Sequence, residues 1–176
     1  MIRYVHMDAT EAVARVGQLR EVYAAVFSLP PYNEAPEMAD KFVGWIHEES
    51  GHTGFDLVAA LDADRLVGFA YGYTMPPGDW WHGTDRSAPA RLKATEKFAV
   101  MEWAVLPEQR GKGIGRRLMD ELLAGRREPY ATLTVNPAAE ARSLYERWGW
   151  RYLAATRQGR MPGMDVMALD LDQPLI

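Results

Sequence analysis

Apolar residues along the chain follow two different spacings, and together these predict a mixture of helices and strands. Residues three and four apart are apolar over 13–27 and again over 38–46, which is the spacing of an amphipathic helix. A proline-rich segment over 29–36 separates these two helices. Apolar runs at Phe55–Leu61 and Arg65–Thr74, joined by a short polar link, predict a β-hairpin.

The rest of the chain adds strands and helices in alternation. Its first six residues have the pattern of a strand, and periodicity is lost between Met75 and Glu96, where we expect a long loop. The other predicted elements, in chain order, are a strand over 98–105, a helix from Ile114, a strand over 130–135, a helix over 138–148 and two strands near 151–156 and 164–171. No internal repeat is visible.

The segment over 105–119 carries three glycines at every second position, between a predicted strand and a predicted helix. These are Gly111, Gly113 and Gly115, and the basic residues among them are Arg110, Lys112, Arg116 and Arg117. The first N–H groups of a helix lack intrahelical partners and lie at the positive end of its dipole, so they bind phosphate well. Glycine lets an anion approach the backbone. The segment therefore predicts an anion-binding loop, and the alternative is a surface turn with solubilising charges.

Two common phosphate-binding loops do not match this segment. A Walker loop needs a hydroxyl residue after its Gly-Lys pair, but Gly113 follows Lys112. The dinucleotide fingerprint needs Gly-x-Gly-x-x-Gly, and the spacing from Gly111 to Gly115 is one residue short of it.

The sequence Arg110-Gly-Lys-Gly-Ile-Gly115 resembles the acetyl-CoA loop of the GCN5-related N-acetyltransferase (GNAT) family. A second segment, over 136–150, resembles the same family's C-terminal motif and follows in the expected order. The resemblance implies an α/β fold of the α+β kind, with a mixed, largely antiparallel sheet of about seven strands flanked by about four helices. It also implies one acetyltransferase domain over 1–176, with its acetyl-CoA loop at 105–119 and the motif for the thiol end at 136–150.

The resemblance implies acetyl-CoA as cosubstrate and direct transfer of its acetyl group to a primary amine. The residues expected to bind it are Val105, Arg110, Gly111, Lys112, Gly113, Ile114, Gly115, Arg116 and Asn136. The chain has no cysteine and no visible Ser-His-Asp signature, so a covalent enzyme intermediate is not expected. Asn136 has a simpler alternative role, which is to cap the following helix.

Two residues are candidates for the proton transfers of such a reaction. Tyr145 is the candidate acid that protonates the leaving thiolate, since its phenol can donate a proton to that group. Glu102 is the candidate base or acceptor-site residue, because a carboxylate buried in an apolar strand has a raised pKa. The alternatives are ordinary core packing for Tyr145 and a surface-facing or salt-bridged side chain for Glu102.

Five residues in two loops are candidates for the acceptor site. Tyr32 and Glu34 lie in the proline-rich segment, where the family places its acceptor pocket; the alternative is a capped, solvated turn. Trp80, Trp81 and His82 lie in the long loop and could bind a cationic amine. The tryptophans could equally anchor the loop on the core or bury a dimer surface.

Composition narrows the choice of function. Hydrophobic residues make up 48% of the 176 residues, which is typical of a folded protein. A net charge of −4 argues against binding to nucleic acid, and the lack of cysteine excludes disulfides and thiolate zinc sites. His47 and His52 are five apart, and not four apart as in the zinc helix motif, so no metal is expected.

The sequence thus predicts a cytoplasmic acetyl-CoA-dependent N-acetyltransferase, without a signal peptide or membrane span and with a homodimer as an open possibility. A small-molecule amine is the favoured acceptor. The alternatives are a non-catalytic acetyl-CoA-binding or sensor module and a protein or peptide N-acetyltransferase.

Overall fold

The computed structural model describes residues 1–157 and 163–172, and this part contains seven strands and six α-helices. The strands are β1 (Ile2–Met7), β2 (Asp56–Asp62), β3 (Arg65–Met75), β4 (Lys97–Val105), β5 (Tyr130–Val135), β6 (Arg151–Ala155) and β7 (Asp165–Asp170). The helices are α1 (Ala9–Ala14), α2 (Val16–Phe27), α3 (Glu37–Glu49), α4 (Ala90–Lys93), α5 (Ile114–Leu123) and α6 (Glu140–Arg147).

The strands follow the order β1-β2-β3-β4-β5-β7-β6 in the sheet. The pairs β1–β2, β2–β3, β5–β7 and β6–β7 are all antiparallel. The predicted fold class, a mixed α/β chain with a largely antiparallel sheet of seven strands, is therefore confirmed. The predicted hairpin is also present, with β2 and β3 joined through Ala63 and Asp64.

The helix predicted over 13–27 is divided in two, and this corrects the sequence prediction. Asp8 accepts a hydrogen bond from the backbone of Glu11, whose side chain accepts one in return, so a capping box begins α1. The chain then leaves helical geometry at Arg15 (φ −105°, ψ 11°) before α2 begins. The predicted number of about four helices was low for this reason and because α4 forms within the long loop.

The chain divides into two compact units, which we describe separately. Unit 1 comprises Met1–Tyr73 with Val100–Ala124, and unit 2 comprises Thr74–Ala99 with Gly125–Ile176. The expectation of a single domain over 1–176 stays a prediction.

The two faces of unit 1's part of the sheet carry different helices. Phe69 of β3 stacks on Phe42 of α3, with ring centroids 5.7 Å apart. Gly68, the preceding residue, approaches Leu118 of α5. Because successive side chains of a strand point to opposite faces, α3 and α5 lie on opposite sides of β3.

Unit 2 contains a buried lysine at the start of β4. Lys97 is fully buried, and its ammonium group donates to the carbonyl oxygens of Pro76, Lys93 and Thr95 at 3.2 to 3.4 Å. Burial lowers the pKa of Lys97, although the charge of Asp79 opposes this shift. The lysine therefore closes the long loop onto the strand.

Candidate active site

A glycine loop joins β4 to α5 and leaves the amino end of that helix without a capping side chain. After β4, a short 3-10 turn at Pro107–Gln109 precedes the glycines. Gly111 and Gly113 have φ angles of +73° and +77°, which residues with a Cβ rarely adopt. Gly113 is also the N-cap of α5, so no side chain accepts a hydrogen bond from the first turn. Exposed N–H groups at a helix start are a general arrangement for binding phosphate.

The space over this loop is open. A Cβ placed on Gly111 or Gly113 would meet no atom within 4 Å. Ile114, the next residue, is 2% exposed and holds the start of α5 in the core. The buried Ile114 thus anchors the start of α5, while the side-chain positions of Gly111 and Gly113 face open space.

The basic residues of the loop already have partners within unit 1. Arg110 donates from Nε to the carbonyl oxygen of Val105 at 3.3 Å, and Lys112 donates to the side chain of Gln109 at 2.9 Å. Arg116 pairs with Asp120 at 2.8 Å, one helical turn further on. Arg117 pairs with Glu121 in the same way, at 2.6 Å. Ion pairs one helical turn apart therefore already hold Arg116 and Arg117 at the start of α5.

β4 presents consecutive side chains to its two faces, and this assigns a side to Glu102. Trp103 donates from its indole Nε1 to the carbonyl oxygen of Gly115 at 2.9 Å, so it faces α5. Glu102 therefore points to the opposite face, where α3 packs. The sequence had left this choice open.

Three carboxylates in unit 1 interact electrostatically, and we call Glu34, Glu49 and Glu102 the carboxylate cluster. The pKa of Glu102 is raised well above its usual value, chiefly because the side chain is buried and secondly because Glu34 and Glu49 repel its charge. The pKa of Glu49 is also raised, mainly by burial. A carboxyl group with a raised pKa is a stronger base than an ordinary carboxylate once it is ionised.

Two buried tyrosines hold the outer members of this cluster. Tyr23 donates its hydroxyl to Glu34, and Tyr71 donates its hydroxyl to Glu49, each at 2.6 Å. Tyr23 is 2% exposed and Tyr71 is 1% exposed. The pKa of each phenol is raised, first by burial and then by the charge of Glu102, so both stay protonated donors.

Sequence reasoning missed three members of this arrangement. Tyr23 belongs to the apolar stripe of α2, and Tyr71 belongs to the apolar run of β3, so each looked like ordinary core. Glu49 lies at the last position of α3, beyond the apolar spacing over 38–46 that predicted this helix. The one available signal was that both aromatic positions are tyrosine, since a buried phenol needs a hydrogen-bond partner.

The structure brings Tyr32 and Glu34 to the same region of unit 1 as Glu102. Tyr32 packs edge-on against Phe27, with ring centroids 4.8 Å apart. Burial raises the pKa of Tyr32, with the charge of Glu102 as the second cause. Tyr32 and Glu34, both predicted for the acceptor site, therefore lie close enough to the predicted base, Glu102, to interact with its charge.

In unit 2, Tyr145 lies within α6 and is 5% exposed. Its ring lies 6.0 Å from that of Trp148 and 5.7 Å from that of Trp150. The side chain of Asn136 accepts a hydrogen bond from the backbone N–H of Ala138 at 2.9 Å. Because α6 begins only at Glu140, Asn136 shapes the turn before the helix and is not its N-cap.

The long loop of unit 2 is attached through its tryptophans. Trp81 donates from Nε1 to the hydroxyl of Thr132 at 3.0 Å. Trp80 packs against a small core of Leu92, Tyr130 and Ala168. The indole N–H of Trp80 is buried without an acceptor in the part of the chain described. These contacts favour the alternative that the tryptophans anchor the loop, whereas His82 is exposed.

Two features are absent from residues 1–157 and 163–172, the part of the chain that the structure describes. No group of three His, Cys, Asp or Glu side chains in this part is arranged to hold a metal ion. None of its helices combines the length and the apolar character that crossing a membrane requires.

Residues 18–150 match the Acetyltransferase (GNAT) family. The chain belongs to this acetyltransferase family. The resemblance drawn from the glycine loop and the C-terminal motif is thereby confirmed.

Relatives of this GNAT protein include a GCN5-like protein acetyltransferase of Mycobacterium tuberculosis. The two sequences are 35% identical over 117 residues, which is 58% of this chain and 56% of the relative. The chain thus matches little more than half of that relative's length.

Solved structures share the fold along nearly the whole chain. A GNAT-family protein from Desulfovibrio desulfuricans superposes with a TM-score of 0.69 at 19% identity, over 97% of this chain and 99% of that one. The PaiA N-acetyltransferase of Thermoplasma acidophilum, solved in complex with coenzyme A, gives a TM-score of 0.63 at 13% identity, over 97% and 99%.

Proposed function

We propose that this GNAT protein is an acetyl-CoA-dependent N-acetyltransferase that transfers the acetyl group directly to a primary amine of a small molecule. The observation that carries the proposal is the uncapped start of α5 behind Gly111 and Gly113, with open space above both glycines. A diphosphate bound there would receive backbone N–H donors at the positive end of a helix. The PaiA structure, which shares the fold, contains coenzyme A.

The residues of the chain fit acetyl-CoA as a cosubstrate. The backbone from Gly111 to Arg116 would bind the diphosphate, and Arg110 and Lys112 would add positive charge beside it. The exposed ion pairs of Arg116 and Arg117 are weak, so an incoming phosphate can replace them. Val105 and Asn136 remain the residues proposed for the pantetheine arm. The bound cosubstrate supplies an activated acetyl thioester.

Glu102 is the proposed base for the acceptor. An amine arrives as an ammonium ion, which the carboxylate cluster attracts, and it must lose a proton before it can attack a carbonyl carbon. Because the pKa of Glu102 is raised, its proton affinity differs less from that of an amine than the proton affinity of an ordinary carboxylate does. Tyr32 and Glu34 are the proposed acceptor-binding residues beside it.

Tyr145 is the proposed acid for the leaving thiolate. A phenol has an ordinary pKa of about 10, so it is protonated at neutral pH and can donate to a thiolate. The role depends on the hydroxyl group of Tyr145. Phenylalanine at this position would lack that group but keep the packing against Trp148 and Trp150.

A second candidate function is acetylation of a protein or peptide, which the name of the mycobacterial relative favours. The carboxylate cluster favours a small cationic acceptor, because a cation placed between carboxyl groups that repel one another relieves that repulsion. A sensor that binds acetyl-CoA without turnover is the remaining alternative.

Calorimetry and a turnover assay together test the proposal. We expect coenzyme A and acetyl-CoA to bind with micromolar to sub-millimolar Kd, and release of free thiol to depend on one class within a panel of small amines and peptides. Glu102→Gln should keep the binding and lose most of the turnover. Binding without turnover across the whole panel would support the sensor, and a lack of binding at millimolar coenzyme A would exclude all three functions.

A further inference from the structure

Trp103 connects the central strand of unit 1 to the start of the proposed cofactor helix. It follows Glu102 in β4, lies on the opposite face and is half-buried. Its indole Nε1 donates to the carbonyl oxygen of Gly115, the second residue of α5, at 2.9 Å. This side-chain bond therefore joins the strand to the first turn of the helix.

The contact at Gly115 is so close that no side chain fits there. A Cβ on Gly115 would lie 2.6 Å from Cζ2 and 3.3 Å from Cε2 of the Trp103 ring. Cβ atoms in proteins do not approach other atoms to 2.6 Å, so alanine would force either the ring or the helix to move. Gly111 and Gly113 differ, since a Cβ on either meets open space. The loop therefore needs glycine for two separate physical reasons. Gly111 and Gly113 have positive φ angles, and Gly115 lies against the Trp103 ring.

A second glycine holds the same helix close to the sheet. A Cβ on Gly68 of β3 would lie 2.9 Å from the carbonyl oxygen of Ala104 and 3.2 Å from Cδ1 of Leu118. Gly68 therefore lets β3 pass close to both β4 and α5. With Gly68 beneath Leu118 and the indole against Gly115, the sheet fixes the depth and the direction of the first turn of α5.

We propose that Trp103 is a positioning residue for acetyl-CoA, which holds the first turn of α5 where its backbone N–H groups meet the diphosphate, and that Gly115 is glycine to accommodate this indole. The proposal rests on the proposed binding of coenzyme A to the glycine loop. Trp103 acts through the backbone and does not itself contact the ligand.

The physical reason is the directionality of hydrogen bonds. Donors of a helix start bind an anion well only within about 3 Å and near linear geometry, so a small displacement of the turn weakens several bonds together. A tryptophan that both donates to the turn and packs against it restricts such displacement. Phenylalanine keeps an aromatic ring in the strand but has no N–H donor and does not reach the Cζ2 position.

A double-mutant cycle tests the proposal. Trp103→Phe, Gly115→Ala and the double variant are titrated with coenzyme A in the calorimeter, and their melting temperatures are recorded. We expect Gly115→Ala to weaken binding about tenfold or more, and Trp103→Phe to weaken it about threefold to tenfold. In the Trp103→Phe background, the alanine should cost little, because the atom it would strike is absent. Binding by the double variant should therefore be tighter than by Gly115→Ala alone.

Steady-state kinetics separate positioning from general loss of structure. We expect the KM for acetyl-CoA to rise in both single variants, while kcat at saturating acetyl-CoA and the KM for the amine stay within about twofold. Trp81→Phe, which also loses an indole hydrogen bond, and Gly44→Ala, which adds a methyl group in open space on α3, are the matched controls for coenzyme A affinity. Neither should change it.

Three results would overturn the proposal. These are equal alanine losses in both backgrounds, unchanged affinity in both single variants, or a fall of kcat and melting temperature together with a rise of both KM values. If Gly115→Ala does not fold, recovery of folding by adding Trp103→Phe supports the proposal and lack of recovery contradicts it. Failure of the unaltered protein to bind coenzyme A would instead remove the proposed function, which the titration of the unaltered protein tests first.

Discussion

At the scale of single residues, the pKa of Glu102 depends on its burial and on two neighbouring carboxylates. Burial and the charges of Glu34 and Glu49 both oppose ionisation of Glu102, and together they raise its pKa. Tyr23 and Tyr71 fix those two carboxylates by short hydrogen bonds and thereby keep their charges in place. The proton affinity of Glu102 is therefore a property of the group and not of one side chain.

The pH profile of kcat/KM tests this coupling. A base must be ionised, so the raised pKa of Glu102 should appear as a loss of activity when pH falls through that value. Glu49→Gln removes one repelling charge, lowers the pKa of Glu102 and should move this acidic limb to lower pH. Glu48→Gln, one position earlier on α3, removes an equal charge that is not among the causes of the Glu102 shift. An equal displacement in both variants would contradict the specific coupling.

Tyr145 gives a second prediction at this scale. Tyr145→Phe removes the proposed acid but preserves the ring, so kcat should fall by about a hundredfold, the lower range for general acid catalysis. Affinity for coenzyme A in calorimetry should change by less than about threefold. Full turnover with the true acceptor would exclude Tyr145 from the reaction.

At the scale of elements, the proposed site of unit 1 depends on β4, on α5 and on the loop that joins them. Consecutive residues of β4 point to opposite faces, with Glu102 on the side of Glu34 and Glu49 and Trp103 on the side of the helix start. The loop between the two elements depends on glycine for its backbone conformation at Gly111 and Gly113.

Alanine substitution tests the requirement for this conformation. At φ +77°, a Cβ in Gly113→Ala costs about 1 kcal/mol in folding stability, and movement of the loop to relieve that strain should weaken coenzyme A binding. Gly44→Ala lies within α3 in open space, where alanine should stabilise the protein by about 0.5 to 1 kcal/mol and leave binding unchanged. Denaturant unfolding and calorimetry measure both effects. Unaltered binding by Gly113→Ala would argue against a strict backbone requirement.

At the scale of the whole molecule, stability should depend on pH through two carboxyl groups, Glu128 and Glu102, whose pKa values are shifted in opposite directions. Glu128 in unit 2 is 1% exposed, and although burial opposes the shift, hydrogen bonds from Arg126 and Thr74 lower its pKa. Its stabilising contribution is present above its unfolded pKa of about 4.3 and is lost as pH falls through the lower folded value. Glu102 has a raised pKa, so its contribution is present at low pH and is lost as pH rises through the folded value.

Two variants separate these contributions in denaturant unfolding between pH 4 and pH 8. Glu128→Gln should destabilise the protein by about 3 kcal/mol at pH 7, because the guanidinium of Arg126 loses its buried partner. Relative to the unaltered protein, Glu102→Gln should gain stability as pH rises, because glutamine cannot acquire the charge that burial and the neighbouring carboxylates oppose. Equal stability changes at all pH values in Glu102→Gln would show that this carboxyl group does not titrate differently on folding.

The sequence determined the features that depend on neighbouring residues. The glycine loop is six consecutive residues, and the hairpin and the strand pattern follow from short-range periodicity, so each could be predicted from the letters. The break in the first helix could not, because Arg15 interrupts a spacing that is helical throughout.

Tertiary structure decided the contacts between residues that are distant in the chain. Tyr23 and Glu34 are 11 positions apart, Trp103 and Gly115 are 12 apart, and Glu49 and Tyr71 are 22 apart. Periodicity shows which side chains share a face, but only the packing of helices on the sheet determines which face is which. The glycine loop was therefore visible in the sequence, whereas the surroundings of Glu102 and the reason for Gly115 were set by packing.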